Sequence, residues 1–95
     1  MSDHPICGGL SDSQITPEII DVANSNIALL NEKLGSNATS FTVVKAQTQC
    51  VAGTNYFLHL NSNTGEPYTV TIYVPLPMAN TPVQVTRAEN GHHPF

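Results

Sequence analysis

The chain has 95 residues, three Lys plus Arg against seven Asp plus Glu, and a formal net charge of −4. That length holds one domain, 1–95, with enough surface to bury a core without metal or disulfide staples. Lys33, Lys45 and Arg87 form no run that could neutralise phosphates, which excludes a nucleic-acid partner, and no apolar run is long enough to span a bilayer, which leaves no membrane partner.

The opening stretch "MSDHPICGG" carries an Asp, lacks a basic start and is followed by no apolar run, so it does not read as a secretory leader and the expected location is cytoplasmic. There the two cysteines, Cys7 and Cys50, default to reduced thiols, and the acceptor triplet Asn37-Ala38-Thr39 stays idle. Residues 1–9 read as a mobile leading segment. The first element is a helix. Thr16 suits its cap, Pro17 its first position, Glu18 the positive end of its dipole and Gly35 its left-handed stop. Ile19, Ala23, Ile27, Leu30 and Leu34 recur at spacings of three and four and make one apolar stripe, while Asp21, Asn24, Ser25 and Glu32 fall on the opposite face.

After Gly35 the pattern alternates. Residues 41–49, 54–61, 68–74 and 83–88 read as strands, and the third sets Tyr68, Val70, Ile72 and Val74 against Thr69, Thr71 and Tyr73, one face for the core and one for water. The links are too short for a crossover helix, so neighbouring strands run antiparallel. The expected fold class is α+β, one long helix packed on an antiparallel sheet of four to five strands, with residues 89–95 as a tail.

Two links break the rule that turns are polar. "QCVAG" places Val51 near a hairpin tip, where burying a Val elsewhere is worth about 1.5–3 kcal/mol, and "PLPM" is apolar too. In a meander, the turns after the first and third strands share one end of the sheet. Val51 and Leu76 are therefore expected side by side in an apolar patch.

These residues also carry a resemblance. Gln49-Cys50-Val51-Ala52-Gly53 resembles the Gln-X-Val-X-Gly signature of the cystatins, and "VAGTNYF" resembles its intracellular stefin branch. Cys7-Gly8-Gly9 is similar to the stefin amino terminus, and Leu76-Pro77 with Asn80 and Pro82 is similar to the second stefin loop. The similarity runs from about Ile6 to Arg87. It implies a reversible, tight-binding, non-covalent inhibitor of papain-like cysteine proteases of the cathepsin type, with no catalytic residues and no cofactor. A three-part wedge would enter the active-site cleft. Ile6 and Cys7 would occupy the unprimed subsites, Gly8 would let the chain turn from the catalytic thiol, Gly9 would join the protease-binding segment, and the Gln49–Gly53 turn and Leu76-Pro77-Met78 would pack on the primed side. The alternative is a non-inhibitory cystatin-fold interaction protein or a domain-swapped assembly protein. A monomer is expected, with a swapped dimer reached by opening the first hairpin. Met78 stands where many stefins have His, and the ending "AENGHHPF" is unlike theirs.

In that fold Cys7 and Cys50 are neighbours at the wedge edge, either as reduced thiols or, on oxidation, linked to each other or between molecules so that entry to the cleft is blocked. His4, His92 and His93 lack a convergent third ligand, so no metal is expected, and His59 reads as a solvent-facing or edge residue. Neither cysteine follows a helix start or sits in a basic setting, which removes a catalytic Cys–His pair.

Overall fold

In the computed structural model, which describes residues 10–13 and 15–95, Thr16 caps the first helix, its hydroxyl accepting from the Ile19 backbone N at 3.3 Å. The expected single helix is two, α1 (Pro17–Asn24) and α2 (Ile27–Leu34). The break falls at Ser25-Asn26, where short polar side chains compete for backbone groups. Asn26 leaves helical angles (φ −120°, ψ 27°) and its Nδ2 donates to the Val22 carbonyl at 2.7 Å. Asn24, expected on the watered face, instead grips the sheet: its Nδ2 donates to the Phe41 carbonyl and its Oδ1 accepts from the Phe41 N, each at 3.0 Å. Gly35 ends α2 at φ 67°, the left-handed stop its position predicts.

The sheet has five antiparallel strands in chain order: β1 (Leu10–Ser13), β2 (Phe41–Val51), β3 (Gly53–Ser62), β4 (Pro67–Pro75) and β5 (Gln84–Asn90). The four strands expected after Gly35 are present and a little longer. The additional strand, β1, is four residues with one aliphatic, too short to show alternation. A register shift in β2 between Val43 and Lys45 leaves Val44 exposed.

Helix and sheet meet over one core. Ile19, Ala23 and Leu30 pack with Phe41, Val43, Ala46, Leu58, Leu60, Val70 and Ile72, while Ile27 and Leu34 are partly buried at its margin. Tyr56 ties the layers: its hydroxyl donates to Glu18 Oε2 at 3.2 Å, and burial, reinforced by that carboxylate, pushes its pKa up to about 12.

The other face of the sheet is not left to water. Thr69 and Thr71 are buried, and the chain after β5 folds back over Thr69. Thr69 Oγ1 donates to the Gly91 carbonyl at 2.7 Å and accepts from the His93 N at 2.8 Å. The Phe95 ring lies 4.4 Å from His59 and 6.0 Å from Phe57, with Lys45 Nζ 5.7 Å from its centroid. Arg87, paired with Glu89 at 2.7 Å, also donates to the Pro94 carbonyl at 3.1 Å. Residues 91–95 are thus a strap and not a loose tail, and His59, expected toward solvent, is half-buried beneath it.

Candidate functional site

The first hairpin turns within one residue: Val51 pairs with Gly53 and Ala52 is the exposed apex. Gly53 makes that possible. Its φ is +119°, and a Cβ there would sit 2.5 Å from the Val74 carbonyl oxygen and 2.9 Å from the Pro75 Cα, so β3 lies against β4 at a distance only glycine allows. Tyr73 reaches from β4 to donate its hydroxyl to the Ala52 carbonyl, propping the apex. One turn earlier, Asn55 Nδ2 faces Gln49 Oε1 at 3.4 Å across the hairpin. Ala52-Gly53 is therefore a turn fixed by its neighbour strand, which removes the need for the usual Asn or Asp.

The second loop starts where that contact is made. Pro75, the last residue of β4, pairs with Gly53. Leu76 is extended, Pro77–Ala79 forms one 3-10 turn closed by Ala79 N to the Leu76 carbonyl at 2.9 Å, and Asn80 exits at φ 56°. Leu76 is 44% exposed and Met78 85%. The register Gly53 to Pro75 thus brings the two loops together at one end of the sheet, as the meander pattern predicts. Residues 49–53 and 75–80 contain no charged side chain, so the edge offers apolar surface, backbone polar groups and the neutral amides of Gln49 and Asn80.

Ile6, Cys7, Gly8 and Gly9 lie outside the described residues. β1 begins with Leu10 opposite Gln49, so the chain enters the sheet at this same end. Cys50, opposite Thr54 in the hairpin, is disulfide-bonded, which overturns the reduced thiol that compartment alone suggested. Sequence reasoning also missed Tyr73, whose place in the alternation marked it only as a solvent-side residue.

Among the described residues no group of three His, Cys, Asp or Glu is placed to hold a metal. The histidines serve the strap instead. His59 Nε2 meets the His93 carbonyl at 2.6 Å, His92 Nε2 the Leu60 carbonyl at 3.1 Å, and the His59 and His92 rings stack at 4.8 Å. Among the described residues no helix is long and apolar enough to cross a membrane.

Residues 8–72, which span the helices, the first hairpin and most of β4, match the family description "Cystatin domain". The chain belongs to the cystatin family. It is 34% identical over 83 residues to Stefin-C of Bos taurus, covering 86% of this chain and 82% of that one. It is 28% identical over 85 residues to Leukocyte cysteine proteinase inhibitor 1 of Sus scrofa, covering 88% and 82%. A solved structure described as a secreted type 1 cystatin from Fasciola hepatica superposes with a TM-score of 0.72 at 25% identity, over 88% of this chain and 96% of that one. These similarities make it a stefin-type cystatin and place it, at the level of the family, among the cysteine protease inhibitors.

Proposed function

We propose that this cystatin is a reversible, tight-binding, non-covalent inhibitor of papain-like cysteine proteases, cathepsins among them, and that it seats the edge built by its two loops in the active-site cleft. The observation that carries this reading is the juxtaposition of two uncharged loops, one propped by Tyr73 and closed by Gly53, the other exposing Leu76 and Met78. A rigid edge loses little freedom on binding, so the apolar area it buries is converted to affinity more fully than that of a floppy one. Interfaces of standard size between proteases and their inhibitors are among the tightest known.

The Gln49–Gly53 turn and Leu76-Pro77-Met78 pack on the primed side of the cleft in this reading. Ile6 and Cys7 occupy the unprimed subsites, Gly8 turns the chain from the catalytic thiol, and Gly9 joins the protease-binding segment. With no scissile bond presented, the inhibitor leaves intact and no enzymatic step occurs. The inhibitory species is the monomer, since a swapped dimer opened at Val51–Gly53 would lose the turn. Because both loops are uncharged, association with the protease depends little on ionic strength.

The test is a titration of papain with the purified protein, followed by mass measurement of the inhibitor recovered from the complex. Stoichiometric loss of activity with an uncleaved inhibitor is expected. Full papain activity in large excess of the folded monomer, or recovery of a cut chain, overturns the reading.

A further inference from the structure

We propose that Asn37 is an N-glycosylation site and that the chain carries an N-linked oligosaccharide there, at the end of the sheet opposite its two uncharged loops. This goes beyond the inhibitor reading and does not depend on it. Asn37-Ala38-Thr39 is the one Asn-X-Ser/Thr triplet in the sequence. It would stay idle in a reducing cytosol. Cys50, however, is disulfide-bonded, and disulfides form and persist in the secretory lumen and outside the cell, the route along which such triplets are modified.

The fold leaves this triplet free to carry sugar. Between α2 and β2 the chain is pinned from within by Asn31, whose Oδ1 accepts from Ser36 Oγ at 2.6 Å and from the Ala38 N at 3.0 Å while its Nδ2 donates to the Ala38 carbonyl at 2.8 Å. Thr39 N donates to Asn63 Oδ1 at 2.8 Å. Ala38 is buried, and Asn37 and Thr39 on either side of it are exposed. Among the described residues neither the Asn37 amide nor the Thr39 hydroxyl has a hydrogen-bond partner. Asn24, Asn26 and Asn31 are the contrast: each spends its amide on the fold, and a sugar on any of them would disrupt those bonds. Asn37 also lines an open depression of about 300 Å³ with Ser62, Thr64, Glu66 and Tyr68, whose hydroxyls and carboxylate suit the hydroxyl and acetamide groups of a first N-acetylglucosamine. The position keeps the two loops clear. Asn63 belongs to the turn between β3 and β4, and β2 runs 11 residues, roughly 33 Å, from this end of the sheet to the first hairpin turn.

The step is a group transfer without redox change, and its donor is an oligosaccharide held on a polyprenyl diphosphate. Asn37 Nδ2 attacks C1 of the reducing-end N-acetylglucosamine. An N–C bond forms, and the C1–O bond to the diphosphate breaks with its electron pair leaving on the lipid diphosphate. One Nδ2 proton passes to a base of the transferase. Thr39 enters as the hydroxyl that the transferase requires two residues beyond the asparagine.

The native protein, purified from the organism that makes it, is weighed intact before and after treatment with peptide N-glycosidase F, and its tryptic peptides are mapped. Its mass is expected to exceed that of the chain by a series of hexose and N-acetylhexosamine units. The enzyme should remove this excess and leave Asp in place of Asn37 within the tryptic peptide 34–45, which holds no other asparagine. In a eukaryotic host that sends the full chain through its secretory pathway, Thr39→Ser should keep the sugar and Thr39→Ala should lose it. A native chain at its bare sequence mass overturns the proposal, as does a sugar that resists the enzyme or maps outside residues 34–45. A Thr39→Ala chain that still carries the sugar overturns it too. None of these results bears on whether the protein inhibits papain.

Discussion

Phe57 and Met78 are both large apolar side chains outside the core between helix and sheet, and the fold treats them differently. Phe57 is half-buried because Phe95 returns across the outer face to meet it, together with the strap bonds from Thr69, His59 and Arg87. Among the described residues none gives Met78 and Leu76 such cover, although their loop is held by its own 3-10 turn and lies beside the propped apex of the first hairpin. A chain that spends its last five residues sealing one apolar surface has the means to seal another. The surface left open, rigid and uncharged, is where burial remains to be gained on binding. The two regions differ in what they are placed to stabilise: the strap adds to folding and, in the reading proposed above, the loops add to association.

Gly53 is the position where that separation should fail, and it carries the largest expected effect. Its left-handed φ and the 2.5 Å approach to the Val74 carbonyl mean that Gly53→Val strains both the turn and the pairing of β3 with β4. A loss of about 3 kcal/mol or more in folding is expected, a fall in Tm above roughly 10 °C, together with weaker papain binding. Were Gly53 needed for the turn alone, the same substitution would lower affinity and leave melting intact. Thermal melting beside a papain titration tells the two apart.

The loops themselves should respond in binding alone. Leu76→Asp with Met78→Asp removes the burial these side chains would gain and sets charge against a desolvated cleft, so affinity should fall roughly 100-fold. Their exposure in the free protein means Tm should move by no more than about 0.5 kcal/mol would cause. A variant that binds as before would show the exposed pair to lie outside the interface. Removing residues 91–95 should do the reverse. Losing the cover of Phe95 and the Thr69 bonds should cost about 2 kcal/mol, near 10 °C in Tm, with papain affinity unchanged. A tail deletion that weakens binding as much as folding would dissolve the contrast between the two regions.

What was legible in the sequence follows the same division. Thr16, Gly35 and the 3.6-residue stripe wrote the helical part because their signals are local, and the alternating strands fixed the meander and hence which two turns share an end. The break at Ser25-Asn26 was hidden because it depends on where side-chain amides find partners, Asn24 on β2 and Asn26 on Val22. Thr69 and Thr71 looked like solvent-side residues since alternation reports two faces and not what later folds over one of them. The loop residues Gln49–Gly53 and Leu76–Met78 could be named from sequence, but the Gly53 contact with β4 and the Tyr73 prop are long-range facts that no local pattern encodes.

Tyr56 offers the finest test, because it lies on the inner face and belongs to neither region. Its folded pKa of about 12 stands above the ordinary value of 10.0, so the folded state holds the proton that the unfolded state gives up first. Below pH about 10 both states are neutral and the contribution is whole; as pH rises from about 10 to about 12 it is lost, and stability must fall with pH in that window. Tyr56→Phe removes this slope and costs about 1 kcal/mol at neutral pH through the bond to Glu18. Urea midpoints across the window, taken for both proteins, should converge as pH rises, while papain affinity at neutral pH stays the same. Parallel midpoints would mean that Glu18 and burial do not hold the Tyr56 proton, and a change in affinity would mean that the inner face is coupled to the loops after all.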